Sequence, residues 1–208
     1  MNAVVPYLVV LTTMASSSSG CVQGAPFTAG FWYENGALTL PATVVAQLGG
    51  SFQPDEADLL EQISRAEIGR AFSELNVRLT TDRDAFWRVA VVASLPARTG
   101  RPLPRTGESV SLGLLGGRGA VGVDVVVSKA ILYAPSGAPR QRVLEGIGRG
   151  IGRVAVHEFF HQILGAEASH NDEDPGSYEF GSPDRQAQYY GELHWSTADS
   201  LLRSKVGK

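Results

Sequence analysis

The longest regular pattern in the sequence is a helical one that runs from about Pro139 to Leu164. Gly165 follows it directly, and a glycine after the last periodic residue is a common helix stop. Four glycines lie inside this pattern, and each costs about 1 kcal/mol relative to alanine. Two of them, Gly148 and Gly152, share a face with apolar side chains, namely Val156, Phe159 and Ile163. We therefore expect another backbone to pack closely against this face. The alternative is a helix that bends or breaks at the glycines.

Two histidines lie four residues apart on this predicted helix, in the run His157-Glu158-Phe159-Phe160-His161. This spacing places their imidazoles about 40° apart around the helix and one turn along it. Both rings can therefore reach one Zn²⁺ ion at about 2.0–2.1 Å. Glu158 lies on the adjacent sector, where a carboxylate acts as a general base toward a zinc-activated water and later as an acid toward a leaving amine.

A catalytic zinc needs three protein ligands and one open position. After Gly165, the sequence offers Glu167 and His170 as candidates for the third ligand. His194, the fourth histidine of the chain, is interpreted as a surface or packing residue.

With its flanking residues, the motif resembles that of the metzincin zinc endopeptidases, and within them a divergent bacterial matrixin-like group. The family pattern is H-E-x-x-H-x-x-G-x-x-H, whereas here the glycine, Gly165, comes one residue late and His170 comes three residues late. The resemblance covers roughly residues 55–205. It implies an α+β fold: a twisted, mostly parallel sheet, a long active-site helix and a C-terminal helix.

The resemblance also implies a function for residues 55–208, that of a zinc metalloendopeptidase domain. Zn²⁺ would be held by His157, His161 and His170, and peptide bonds in a peptide or protein substrate would be hydrolysed with Glu158 as the catalytic residue. Taken strictly, the family pattern places the third ligand at Glu167. We favour His170, because a break at Gly165 gives the chain reach and because imidazole suits zinc.

Two departures from the family, the shifted third ligand and the missing methionine turn, keep alternatives open. A thermolysin-like arrangement would take the third ligand from Glu192. Metzincins also place a methionine turn beneath the zinc, yet the only methionines here are Met1 and Met14. Tyr178 or Phe180 would supply the apolar floor instead, or act only as packing residues. A catalytically degenerate binding or cell-surface module that retains zinc, and a closed structural zinc site, are the rival interpretations.

The start of the chain predicts export. Residues 1–24 contain a short apolar run followed by small residues, which is typical of a secretory signal; a disordered terminus is the alternative. Cys21, the only cysteine, follows Ser18-Ser19-Gly20 and weakly resembles a bacterial lipoprotein acceptor site. We expect a protein exported from a bacterial cell: secreted, periplasmic, or attached to a membrane through a lipidated Cys21.

Composition and the spacing of apolar residues predict the remaining organisation of the chain. A chain of 208 residues suits one ordinary domain, and a net charge of −3 argues against a nucleic-acid partner. Residues 25–54 are interpreted as a linker or N-terminal arm. A helix is predicted over residues 55–76, strands over 86–93 and 120–127, a short strand over 110–115, and a last helix from Ser196 or Thr197.

Overall fold

The computed structural model describes residues 26–96, 105–112 and 116–208. Five strands form one sheet: β1 Phe27–Tyr33, β2 Val77–Thr80, β3 Trp87–Val92, β4 Gly107–Ser111 and β5 Gly117–Gly122. Their order across the sheet is β2-β1-β3-β5-β4. The first four strands in this order run parallel, and β4 pairs antiparallel with β5 at the edge. The predicted mostly parallel sheet is therefore confirmed.

Six helices complete this part of the chain: α1 Ala42–Leu48, α2 Pro54–Ala71, α3 Val123–Leu132, α4 Arg140–Leu164, α5 Ala187–Tyr190 and α6 Asp199–Val206. The long helix α4 and the C-terminal helix α6 match the α+β prediction. Among the described residues, none of these helices combines the length and apolar character that crossing a membrane requires. The signal-like segment 1–24, with Cys21, lies outside the described residues, and export stays a prediction.

Residues 120–127 were predicted as one strand, and this prediction is wrong beyond Gly122. Strand β5 ends there and α3 begins at Val123. A run of valines favours a strand by local propensity. The same run also carries a helical period, because its buried side chains recur at i, i+3, i+4 and i+7: Val123, Val126, Val127 and Ala130. Burial of that stripe outweighs the β-propensity of the valines.

The segment interpreted as a linker or N-terminal arm contributes strand β1, which lies between β2 and β3. Its register pairs Phe31 with Val89, and both side chains are fully buried. Gly30 lies so close to the backbone carbonyl of Asp82 that a β-carbon there would overlap it. The sheet therefore begins upstream of residue 55.

Three other boundaries differ from the predictions by a few residues. The helix predicted over 55–76 ends at Ala71, and the last helix begins at Asp199. The short strand predicted over 110–115 is β4, which starts earlier, at Gly107. Residues 113–115 lie outside the described residues.

Helix α4 packs against α2 through two of its glycines, Gly148 and Gly152, as the sequence predicts. A β-carbon at Gly152 would lie 2.6 Å from the backbone oxygen of Ser64, and one at Gly148 would lie 2.8 Å from Cβ of Ile63. The helix is continuous over its 25 residues, so the interrupted alternative is wrong. The missing side chains let the two helices approach closely, which fixes α4 relative to α2.

The C-terminal half of α4 is fixed to the sheet by Gln162. Its Oε1 accepts a hydrogen bond from the Arg88 amide at 3.0 Å, and its Nε2 donates to the Arg88 carbonyl at 3.2 Å. Gly117 and Gly119 on β5 leave the space that this side chain occupies. The turns of α4 that carry the histidines are thus held on the sheet.

Replacing Gly152 by alanine is expected to lower the free energy of unfolding by about 1–3 kcal/mol, because overpacking against α2 exceeds the gain in helix propensity. Gly69 in α2 is the matched control. A β-carbon there meets nothing within 4 Å, so Gly69→Ala is expected to raise the free energy of unfolding by about 1 kcal/mol. Urea denaturation of both variants measures the two values. Equal effects of the two substitutions would contradict the close packing.

Candidate metal centre

Three imidazoles converge at the end of α4. The Nε2 atoms of His157 and His161 lie 3.1 Å apart, and those of His161 and His170 also lie 3.1 Å apart. All three candidate ligand atoms fall within 4.8 Å of one another. Nitrogens bound at about 2.1 Å to a tetrahedral ion are separated by about 3.4 Å. The three histidines are therefore close enough to bind one metal ion.

Gly165 brings His170 to the other two histidines. Its φ of 56° lies in the left-handed region, which a side chain strongly disfavours, and its amide donates to the His161 carbonyl. One 3₁₀ turn over Gly165–Glu167 follows, and the chain then folds back toward the helix. The helix stop predicted at Gly165 is confirmed.

The hydrogen bond of His157 determines which ring nitrogen is free. Its Nδ1 lies 2.9 Å from the carbonyl oxygen of Tyr178. Because a carbonyl only accepts, Nδ1 carries the proton and Nε2 keeps its lone pair toward the other histidines. Burial lowers the pKa of His157 to about 3 and that of His161 to about 4, so both rings are neutral at pH 7.

Glu158 lies beside the three imidazoles, between α4 and β4. Only 6% of the residue is exposed, and it lines the same cleft as the histidines. Burial raises the pKa of its carboxyl to about 7, against the opposing effect of a hydrogen bond from Ser109. A β-carbon at Gly107 would overlap Glu158 Oε1, so this glycine makes room for the carboxylate. Gly107 was not predicted to belong to the site, because no local sequence signal marks it.

The histidines open into a cleft of about 540 Å³. Strand β4 forms one side, and the loop after Tyr178 together with α5 forms the other. Side chains from both sides reach it: Ser109, Glu158, Phe180 and Gln188. A peptide-sized ligand would therefore contact the three imidazoles and Glu158 at once.

The other ligand candidates have other partners. Glu167 forms an ion pair with Lys205 at 2.6 Å. The Glu192 side chain is 82% exposed and lies 3.8 Å from Arg70. His194 pairs with Asp174 at 3.0 Å, in agreement with its interpretation as a surface residue. The described residues bring together His157, His161 and His170 and leave these three outside.

Tyr178 and Phe180, which were predicted to form the apolar floor of the site or to act as packing residues, both line the cleft beside the histidines. Tyr178 is buried, its ring packs on Trp195 with centroids 5.0 Å apart, and its hydroxyl donates to Glu67 Oε1. Its backbone carbonyl is the group that orients His157. Phe180 borders the cleft and lies over the guanidinium of Arg185. Both aromatic residues thus contribute to the walls of the site.

One buried ion pair supports the centre and was not predicted. Arg153 lies one helical turn before His157, and its Nε donates to Glu67 Oε1 on α2 at 2.8 Å. Glu67 also accepts the Tyr178 hydroxyl, so the pair is linked to the carbonyl that holds His157. No sequence signal pairs residues 67 and 153, because they lie 86 positions apart.

A set of three imidazoles suits Zn²⁺ and other transition metals, and the cleft leaves further coordination positions accessible to a ligand. The protein-family models, the curated proteins and the solved structures contain no match to this chain. The function of the centre is therefore inferred from its own side chains.

Proposed function

We propose that the protein is a zinc-dependent peptidase of metzincin type. One observation carries the proposal: three imidazole nitrogens converge next to a buried carboxylate, inside a cleft open to a ligand. Three nitrogen donors without a fourth protein ligand are typical of catalytic rather than structural zinc sites. Among the described residues, no fourth histidine, cysteine or carboxylate joins the cluster.

The residues fit a zinc ion. His157, His161 and His170 would hold it through Nε2, and the Tyr178 carbonyl keeps the His157 lone pair available. When bound, Zn²⁺ supplies a Lewis acid that polarises a substrate carbonyl and acidifies water. All three histidines line the cleft, and His170 is the exposed member of the three.

Glu158 is the proton-transfer residue in this proposal. Its carboxylate accepts a proton from the attacking water and returns it to the leaving amine. The side chain is buried against Gly107 of β4 and accepts a hydrogen bond from Ser109, so its position does not depend on the substrate. Neighbouring Glu108 is paired with Arg105 at 2.9 Å, which leaves Glu158 as the carboxylate next to the histidines.

Strand β4 favours a peptide as the substrate. It is the last strand of the sheet and, among the described strands, pairs only with β5. Its residues line the cleft, so an extended peptide could add to this edge by backbone hydrogen bonds. Such pairing would lay the peptide across the three histidines.

A catalytically degenerate binding module is the second candidate. It is favoured by the absence of a methionine turn, in whose place Tyr178 lies. The hydroxyl of Tyr178 donates a hydrogen bond to Glu67, and its ring packs against Trp195. Such a module would bind zinc and peptide without hydrolysis. The two candidates therefore differ in turnover and agree in metal content.

The first test measures both metal content and turnover. Purified protein at neutral pH is expected to contain about one equivalent of zinc by elemental analysis and to cleave casein. His161→Ala is expected to lose the zinc, because two imidazoles remain from the set of three. His194→Ala, at the histidine paired with Asp174, is expected to keep it. Wild-type protein without stoichiometric zinc would overturn the proposal, and zinc without cleavage would favour the binding module.

A further inference from the structure

The two sides of the cleft differ in charge. On the β4 side, Arg105 and Glu108 compensate each other. On the α5 side, Arg185 has no carboxylate within 4.0 Å among the described residues. Its Nε and Nη1 are buried without hydrogen-bond partners, while Nη2 donates to the Ser177 carbonyl at 2.8 Å. A guanidinium without a direct ion-pair partner therefore lies behind this side, and the Asp174 carboxylate acts on it only at longer range.

Gln188 stands between that cation and the cleft. The residue is 5% exposed and lines the cleft, and its Oε1 accepts a hydrogen bond from Arg185 Nη2 at 3.1 Å. A guanidinium only donates, so the oxygen of the amide must face Arg185 and the NH₂ group must face away from it. Nε2 has no hydrogen-bond partner within the described part of the chain. Gln188 thus presents an unpaired donor to a ligand.

The short helix that carries Gln188 is held in place from below. Arg153 donates to the carbonyls of Ala187 at 2.6 Å and Gly191 at 3.0 Å, one at each end of α5. Arg153 is itself fully buried on α4, one turn before His157. The Gln188 donor therefore has a fixed position relative to the metal centre.

We propose that Gln188, oriented by Arg185, forms a subsite for a substrate side chain that carries a carboxylate. The inference rests on the proposed peptidase function and names its substrate class: peptides with glutamate or aspartate at one fixed position relative to the cleaved bond. The amide NH₂ donates to the carboxylate, and the positive charge of Arg185 favours an anion over a neutral acceptor. Phe180, stacked over Arg185 at 4.5 Å, keeps water from that charge.

The test compares cleavage of a proteome-derived peptide mixture by three proteins: wild type, Gln188→Glu and Gln186→Glu. In the wild type, acidic residues are expected to be enriched at one position around the cleaved bonds. A synthetic peptide with that residue is expected to have at least about tenfold higher kcat/KM than its glutamine analogue. Gln188→Glu turns the donor into an acceptor and is expected to abolish the preference. Gln186→Glu adds the same charge on the exposed surface and is expected to keep it.

A binding measurement separates this inference from the peptidase proposal. Zinc-loaded Glu158→Gln protein is titrated with two labelled pools of random decapeptides that differ only in one central glutamate or glutamine. Tighter binding of the glutamate pool, lost in Gln188→Glu, supports the subsite even where the wild type hydrolyses nothing and the peptidase proposal fails. Equal binding of both pools, or cleavage with no acidic preference, overturns the subsite and leaves the peptidase proposal standing wherever hydrolysis is seen.

Discussion

Replacing Glu158 by glutamine is expected to reduce peptide hydrolysis by about 10²–10⁴-fold, the contribution of a positioned general acid–base group. The amide nearly matches the shape of the carboxylate but does not accept a proton at neutral pH. Zinc content is expected to stay at one equivalent, because the Glu158 carboxylate is not part of the three-histidine cluster. The measurement pairs kcat/KM for a peptide substrate with elemental analysis of the same preparation.

Glu167→Gln is the matched control for that experiment. It makes the same chemical change nine residues along the chain, at a side chain that is 51% exposed and paired with Lys205. We expect kcat/KM within about twofold of the wild type, since an exposed pair of this kind contributes little. A Glu158→Gln variant that hydrolyses peptides at the wild-type rate would rule out the proposed proton-transfer role. Loss of zinc from Glu167→Gln would instead indicate that Glu167 is a zinc ligand.

The three-histidine cluster was predictable from the sequence to the extent that its residues are close together along the chain. His157 and His161 are one turn apart on a helix whose period and stop at Gly165 are visible in the sequence. His170 follows within a few residues, so only one change of direction separates it from the helix. Local geometry therefore decides most of the cluster.

The surroundings of the centre were not predictable, because they depend on contacts between distant segments. Gly107 gives space to Glu158 across 51 residues, and Gln162 reaches the backbone of Arg88 across 74. Strand β1 shows the same limitation in the fold. Its seven residues mix four aromatic side chains with threonine, alanine and glycine and show no alternation of buried and exposed positions, so its place between β2 and β3 is decided by pairing.

Helix α3 shows a different limitation, a competition within one segment. The valines of residues 123–127 have high β-propensity, yet their burial follows a helical period. The two tendencies predict different elements, and the packing of the rest of the chain decides between them. The strand prediction failed where propensity was given more weight than period.

Replacing Glu67 by glutamine is expected to lower the free energy of unfolding by about 3–5 kcal/mol. The side chains of Arg153 and Glu67 are 0% and 2% exposed, so removing the carboxylate leaves a guanidinium charge buried without a counter-ion. The loss is a large part of the total stability of an ordinary domain. Urea denaturation monitored by tryptophan fluorescence measures it.

The reverse substitution is expected to cost less. In Arg153→Met, the Glu67 carboxylate keeps Arg70 at 3.1 Å and the Tyr178 hydroxyl at 3.2 Å, so its charge stays partly compensated. In the double variant Glu67→Gln with Arg153→Met, neither charge of this buried pair remains, and we expect it to recover part of the stability lost in Glu67→Gln. Glu61→Gln, in the half-exposed pair with Arg65 on the same helix, is the control and is expected to change stability by less than about 1 kcal/mol. Equal losses for Glu67→Gln and Glu61→Gln would show that the buried pair does not stabilise the packing of α2 against α4.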